Sequence, residues 1–516
     1  MKSSYFTIPK LIILVEYVIA SVLLGYLLYW HYTVGITRFF DVDEFTHLHW
    51  AANFARGQTP YIDFFTFFTP GFYWLLTPLF WLFGKSTSLF IATRVAAFVV
   101  FAVMVALTGL LYRTVRSKRF FVIPMCILAF LPMPFDKFME VRPDNVSTVF
   151  GLLGMYLQII AMENPLHGRS RYYWFFSAIS YAASMIILVK SLPFVVVGFA
   201  IYLLDVGMYQ WILRTLSTRR IQRLPGTGAH AYFLYGFGMT GLLFAFWLLS
   251  LGDISKVLYS LTSMPFEANT IGRIYIMEPH LFFFPNASFY GGWGVTNALL
   301  LNHTIWAIGI CVGVMSLLTP YIRADGKGKR VLSELLIAGV FIVSVVLYVM
   351  FFPMKHSQYL IPIAVFIAMY CADFVSLVFR RTSVLSPVLL IALALLFARQ
   401  TAVVNAPKMQ ISNKVQLVQT EQLRSLVGEN EQVLDLDGRF IYRTDPYDIC
   451  CLPFGTFVRF LSRPPRPLRE VLEEKKVAYI YQGDSGRFWE LTDDLPYINE
   501  HYEKVEGWGT ALWRRK

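Results

Sequence analysis

LIILVEYVIASVLLGYLLYWHYTVGITRFFDVDE, residues 11–44, is an apolar run that ends on three acids, Asp41, Asp43 and Glu44. The stretch Leu11 to Trp30 is long enough to cross a hydrocarbon core of roughly 30 Å. Carboxylates at the mouth of such a helix are expensive to place and mark function. A polar loop follows, then Gly57-Gln58-Thr59-Pro60-Tyr61 and a second apolar stretch closed by Leu82-Phe83-Gly84. This order points to chemistry at a membrane face.

The rest of the chain agrees. Of its 516 residues, 56% are hydrophobic and only 15% charged, too few charges to clothe a soluble globule of this size. Apolar runs recur to about residue 400, so the chain reads as a polytopic membrane protein. Its first run, behind Lys2 and Lys10, reads as an uncleaved signal anchor. The net charge of +12 lies in short basic loops, such as Arg113 to Arg119 and Arg214 to Arg223. Such loops set membrane orientation, and no basic-aromatic nucleic-acid motif is present.

Placing every basic cluster in the cytoplasm predicts about eleven spans: 11–32, 87–112, 120–134, 146–163, 172–189, 191–209, 232–251, 298–319, 333–352, 358–379 and 384–399. It also requires Phe68 to Phe83, interrupted by Pro70 and Pro78, to be a re-entrant or interfacial helix. Residues 1–400 then form the membrane domain. From about residue 401 the apolar residues become short and periodic, predicting a small extracytoplasmic α/β domain over 401–516. Its expected elements are an amphipathic helix Val415 to Leu426, a strand Gln432 to Leu436, a helix Leu468 to Lys475, a strand Val477 to Tyr481, and two strands around Gly507. Cys126, Cys311 and Cys371 fall in spans and read as small apolar residues. The adjacent Cys450 and Cys451 read as free thiols, one reactive thiol or a strained bridge.

The unusual polar residues gather on the outer face. Asp43 and Glu44 open a helix expected over Asp43 to Arg56, where acids either cap free amides or supply a general base to an acceptor hydroxyl. Asp43 and His47, four apart, share a face compatible with a divalent cation, although no further ligand lies in the local sequence. Arg142 suits bidentate phosphate binding, with Asp144 holding it or a substrate hydroxyl, and a structural ion pair is the plain alternative. Lys190 sits at a span edge, where it either snorkels or binds phosphate. Lys355 and His356, in a short outer turn before Tyr359, fit a lipid phosphate or simple interfacial anchoring. The long loop 252–297 reads as a substrate-contacting lid.

Asp43-Glu44, Gly57-Gln58-Thr59-Pro60-Tyr61, Pro70-Gly71-Phe72-Tyr73-Trp74, Leu82-Phe83-Gly84, Arg94, Arg142-Pro143-Asp144, Lys190 and Lys355-His356-Ser357-Gln358-Tyr359 together resemble the ordered signature of GT-C membrane glycosyltransferases. The bacterial branch with lipid A aminoarabinose transferase and relatives of protein O-mannosyltransferase looks closest, over roughly residues 1–400. The resemblance implies a bacterial inner-membrane enzyme using a polyprenyl-phosphate sugar at the outer face, with a glycan, lipid or protein as acceptor. Asp43, with Glu44, would be catalytic; Arg142, Lys190, Lys355 and His356 would face donor phosphate; Asp144 and Tyr359 would contact substrate. No metal ligand set is implied. Phe68-Thr69 stand where the aminoarabinose branch has a Glu-Lys pair, which leaves sugar and acceptor open. A lipid-linked-sugar flippase, whose ionisable groups should sit at mid-membrane depth, and an oligosaccharide ligase or polymerase are the competing readings.

Overall fold

The computed structural model describes residues 8–165, 168–216, 228–268, 270, 296–318, 328–352, 356–382, 384–428, 431–447, 449, 451, 458–483 and 491–516. The helices are α1 (Ile8–Thr37), α2 (Val42–Ala55), α3 (Gly71–Phe83), α4 (Ser88–Val115), α5 (Val122–Phe130), α6 (Phe135–Met139), α7 (Pro143–Glu163), α8 (Ser170–Ile187), α9 (Leu192–Leu216), α10 (Ala231–Ser250), α11 (Ile254–Leu261), α12 (Ser263–Ala268), α13 (Thr296–Leu318), α14 (Gly328–Val346), α15 (Ile361–Arg381) and α16 (Ser386–Asn405). Among the described residues nine helices are long and apolar enough to cross a membrane. The chain is a multi-pass membrane protein. Lys355, Cys450 and most of loop 252–297, including Asn269, Arg273, Glu278 and His280, lie outside the described residues.

The two other expected spans are α8, with 18 residues, and α5, with only 9. At 1.5 Å per residue α5 reaches about 13 Å, too short to cross alone. Pro132 and Pro134 follow it closely and cannot continue a helix. The expected break at Lys190 is present: α8 stops at Ile187, a short 3-10 turn spans Val189–Ser191, and α9 starts at Leu192. α3 has 13 residues, about 20 Å, and ends on exposed Trp81 and Leu82, as an interfacial helix requires.

The bundle core is tight where glycine lets helices meet. A Cβ at Gly154 on α7 or Gly198 on α9 would lie 2.7 Å from the buried Tyr181 ring on α8. Tyr181 Oη donates to Gln158 Oε1 at 2.7 Å, and Gln158 Nε2 donates to the Gly198 carbonyl at 2.9 Å. A buried phenol and amide thereby satisfy each other inside apolar surroundings. At the domain-bearing end, Gly71 starts α3 against α8, with the space for its Cβ only 2.7 Å from the Ile186 carbonyl oxygen.

After α16 the chain forms α17 (Lys414–Leu426), α18 (Leu468–Lys475) and α19 (Leu495–His501) around four short strands. They are β1 (Val433–Asp435), β2 (Tyr479–Tyr481), β3 (Tyr502–Lys504) and β4 (Leu512–Arg515) in the order β1-β2-β4-β3. β1 and β2 are parallel, and β4 runs antiparallel to both β2 and β3. The sheet's apolar residues Val433, Tyr479, Tyr481 and Leu512 join Phe45, Leu48, Tyr73 and Leu76 of α2 and α3 in one buried cluster. Because Gly71 meets backbone, which cannot rotate away, Gly71→Ala is expected to cost about 1–3 kcal/mol, read as a lower Tm in detergent.

Candidate functional site

α2 begins with a capping box. Asp41 Oδ1 accepts from the Asp43 amide at 2.9 Å, and Glu44 Oε2 accepts from the Asp41 amide at 3.0 Å. Asp41 is the cap, so Asp43 and Glu44 lie in the first turn on different faces. Glu44 is fully buried; its second oxygen accepts from the Val141 amide at 2.8 Å, and it pairs with Arg94 of α4. Arg94 also donates to the carbonyls of Gly35 and Phe39, and its guanidinium lies over the Phe40 ring. Asp43 points the other way, its side chain 43% exposed, and meets Arg142 Nη2 at 2.9 Å.

The segment from α6 to the start of α7 supplies the opposite wall. Arg142 Nη1 donates to Glu140 at 3.0 Å, and its Nε lies 3.7 Å from Asp144. Lys137 reaches both Glu140 oxygens at 2.8 Å and lies 3.6 Å from Asp41. Behind these, Asp136 takes Lys408 at 2.6 Å and Arg38 at 3.7 Å, while Arg38 lies 3.5 Å from Glu140. Arg38, Asp136, Lys137, Glu140 and Lys408 had no assigned role in the sequence reading. Their pairings join residues up to 272 positions apart, and only the density of charge in 135–145 signals them.

This clustering sets protonation. The partial loss of water around the Asp43 carboxyl pushes it up, but Arg142 and Lys137 outweigh that and hold it below the ordinary carboxylate range. Burial likewise works against Asp41, and Lys137 brings it down. His47, one turn after Asp43 on α2, is buried among Trp50, Phe68 and Phe72, and burial with Arg142 pulls its imidazole to about 3. Its Nδ1 has no hydrogen-bond partner among the described residues. No third His, Cys, Asp or Glu joins Asp43 and His47 in a metal-binding cluster among those residues.

Asp144 lines a narrow cleft between α7, α9, α14 and α15. Its wall is apolar at Leu188, Phe194, Leu347 and Phe352, and polar at Lys190, Thr148 and Gln358. Lys190 Nζ stands 3.8 Å from the Tyr359 ring centroid, a cation–π contact. It has no carboxylate within ion-pair distance among the described residues. His356 packs edge-on to Tyr359, ring centroids 5.8 Å apart. Burial, together with Arg142 and Lys190, outweighs the pull of Asp43 and brings its imidazole down to about 4. Asp43, Arg142, Asp144, Lys190, His356 and Tyr359 therefore converge, whereas Glu44 sits behind them in the core.

A second missed contact ties α2 to the C-terminal sheet. His49 Nε2 lies 2.8 Å from both Asp445 oxygens, Asn53 Nδ2 donates to Asp445 at 2.9 Å, and Arg56 donates to the Ile441 carbonyl at 2.6 Å. Burial lowers the His49 imidazole, but Asp445 and Asp435 more than reverse that. Cys451 is disulfide-bonded, and Cys126, Cys311 and Cys371 are free.

No protein-family model and no curated protein matches the sequence. The architecture does have solved counterparts. The Archaeoglobus fulgidus oligosaccharyltransferase, crystallised with a tethered acceptor peptide, superposes with a TM-score of 0.53 at 13% identity, covering 100% of this chain and 75% of that one. ArnT from Cupriavidus metallidurans in the apo state gives a TM-score of 0.54 at 11% identity, over 96% and 97% of the two chains. The same ArnT bound to undecaprenyl phosphate gives 0.51 at 11% identity, over 83% and 84%. The chain therefore shares its overall fold with these two membrane proteins over nearly its whole length.

Proposed function

We propose that the protein is a glycosyltransferase that moves a sugar from a polyprenyl-phosphate carrier to an acceptor hydroxyl at the extracytoplasmic face. One observation carries this reading: Lys190, a cation without a carboxylate partner among the described residues, lines an apolar-walled cleft together with Asp144. Arg142 joins that acid to Asp43. The apolar wall has the chemistry to meet an isoprenoid, and the cation beside it the chemistry to meet a phosphate. The other cations of the cluster, Arg38, Arg94, Lys137, Arg142 and Lys408, already hold carboxylates.

In the proposed reaction Asp43 orients the acceptor hydroxyl and takes its proton as the oxygen attacks the anomeric carbon. The carbon–oxygen bond to the phosphate breaks, and the electron pair leaves on polyprenyl phosphate. Lys190 and Arg142 balance the charge that develops there, so no proton donor to the leaving group is required. His356 lines the same region as a neutral group, and Tyr359 holds Lys190 in place. Lys355 is assigned to the donor phosphate by the sequence alone. Glu44 positions α2 through Arg94 and the Val141 amide and does not meet substrate.

Full-length protein in nanodiscs, supplied with radiolabelled polyprenyl-phosphate sugars and an acceptor panel, is expected to yield labelled product. Asp43→Asn should lower its rate by about 10²–10⁴-fold with the fold intact. Equal rates for both proteins overturn the assignment of Asp43, and no transfer over the whole panel overturns the transferase reading. Glu44→Gln is expected to fail differently. It leaves Arg94 buried beside a neutral amide, costing about 3–5 kcal/mol, and a lower Tm and poor yield should accompany any loss of activity.

The pH profile follows from the same charges. Asp43, depressed when folded, stays ionised at mild pH, and its stabilising contribution is lost only in strong acid. His47 and His356, at about 3 and about 4, stay neutral. The transfer rate is therefore expected to be flat from about pH 5.5 to 8 with respect to these three groups. Stability should nevertheless decline as pH falls below about 6.5, where the unfolded imidazoles bind protons first. Thermal melts and initial rates on one pH series check both.

A further inference from the structure

α17 belongs to the C-terminal part of the chain, yet its outward side exposes three large apolar residues. Val415 is 64% exposed, Val418 56% and Leu426 41%, and Ile411 precedes them at 45%. Within α17, spacings of three and eight residues place Val415, Val418 and Leu426 on one side of the helix, which also carries Gln422 and Ser425. The opposite side packs inward through Thr420 and Leu423. Both ends of α17 are pinned to the ends of membrane spans. At its start, the Asn413 amide donates to the Thr37 carbonyl at 2.8 Å and Asn413 Nδ2 to the Ile36 carbonyl at 2.6 Å, the last turn of span α1. At its far end, Arg424 donates to the Lys85 carbonyl at 2.8 Å, three residues before span α4. A helix of 13 residues, about 20 Å, is thereby tied at its start to the end of span α1 and at its far end to the approach to span α4. Beside it, α3 turns out Trp81 at 73% and Leu82 at 77% exposure.

We infer that the outward face of α17, with the tip of α3, docks into the headgroup region of the lipid leaflet on the C-terminal-domain side. Continuity argues for lipid over a protein partner. The exposed residues of span α16, Leu395 at 66% and Val403 at 44%, lead directly through Ile411 to Val415 and Val418. An amphipathic helix with its apolar face sunk about 5–10 Å into the headgroup boundary is a stable arrangement, and a tryptophan beside it suits that depth. The docking has a consequence for the site. From its inner side α17 sends Gln416 to the backbone of Phe40, Oε1 accepting from the amide at 2.7 Å and Nε2 donating to the carbonyl at 3.1 Å. Phe40 adjoins the Asp41 cap. The lipid surface thereby sets the height of the acid-bearing turn, whatever acceptor it serves.

The test is photo-crosslinking of the full chain in phosphatidylethanolamine/phosphatidylglycerol nanodiscs. p-Benzoylphenylalanine replaces, one at a time, Val415, Val418 and Leu82, with Leu395 as the lipid-facing reference and Arg469 as the water-facing one. Intact-mass spectrometry is expected to show a one-phospholipid mass shift at 415, 418, 82 and 395 and none at 469. A shift at 395 without one at 415 and 418 overturns the proposal and places that face in water. A dimer-mass adduct at 418 also overturns it and makes the face an interface between copies. No readout depends on sugar transfer, so failure here and failure of the transferase reading are separable.

Discussion

The burial of Glu44 constrains everything around it. A carboxylate shut away from solvent is tolerable only when paired and fully hydrogen-bonded. Glu44 meets that condition with Arg94, the Val141 amide and the Asp41 amide. Those three donors come from span α4, from the loop before α7 and from the cap of α2. One buried group therefore fixes the mutual position of three segments far apart in sequence. Arg94 extends the arrangement to the end of α1 through the Gly35 and Phe39 carbonyls. The turn that carries Asp43 is thus held by buried contacts to α1, α4 and the loop before α7.

The C-terminal sheet is part of the same framework. His49, Asn53 and Arg56 lie along one side of α2 and all reach the segment after β1. Arg439, buried from that segment, lies over the Phe45 ring at 5.0 Å. α2 is therefore gripped from the membrane side by Glu44 and from the sheet side by His49. Glu267 of α12 adds a further tie, accepting from the Ser462 amide and hydroxyl at 2.9 and 2.8 Å. The C-terminal region braces the acid-bearing helix from above.

Local signals carried far into this fold. Hydropathy located most of the spans, Lys190-Ser191-Leu192-Pro193 located the break between α8 and α9, and the side on which the basic clusters fall, supported by two prolines, marked α3 as a non-spanning helix. The short strands near Leu434, Ile480 and Trp513 were legible from apolar periodicity and from turn residues such as Gly507. Single charges in apolar surroundings flagged Asp43, Arg142, Asp144 and Lys190, because each is costly to place there. Lys137, Glu140 and Lys408 were not legible as a set, since a charge pair has no sequence period and Lys408 meets Asp136 across 272 positions. The His49–Asp445 contact, 396 positions apart, was hidden for the same reason. α5 misled because an apolar run reports hydrophobicity and not helix length.

Adjacent acids in one sequence need not share a role. Successive residues on a helix point about 100° apart, so Asp43 and Glu44 could not both face the cleft once α2 was packed against α4. The longer side chain took the core, where its reach lets it touch three donors, and the shorter one stayed at the surface beside Arg142. Arg142 cannot neutralise Asp43 completely, because it is also shared with Glu140 and Asp144. Glu140 in turn is shared with Lys137 and Arg38. Such sharing leaves the cluster one carboxylate in excess among its paired members, near the ammonium of Lys190, which meets no carboxylate among the described residues. Asp144 and Lys190 line one cleft, and Arg142 links that acid to Asp43, so the excess negative charge and the cation are held on connected walls.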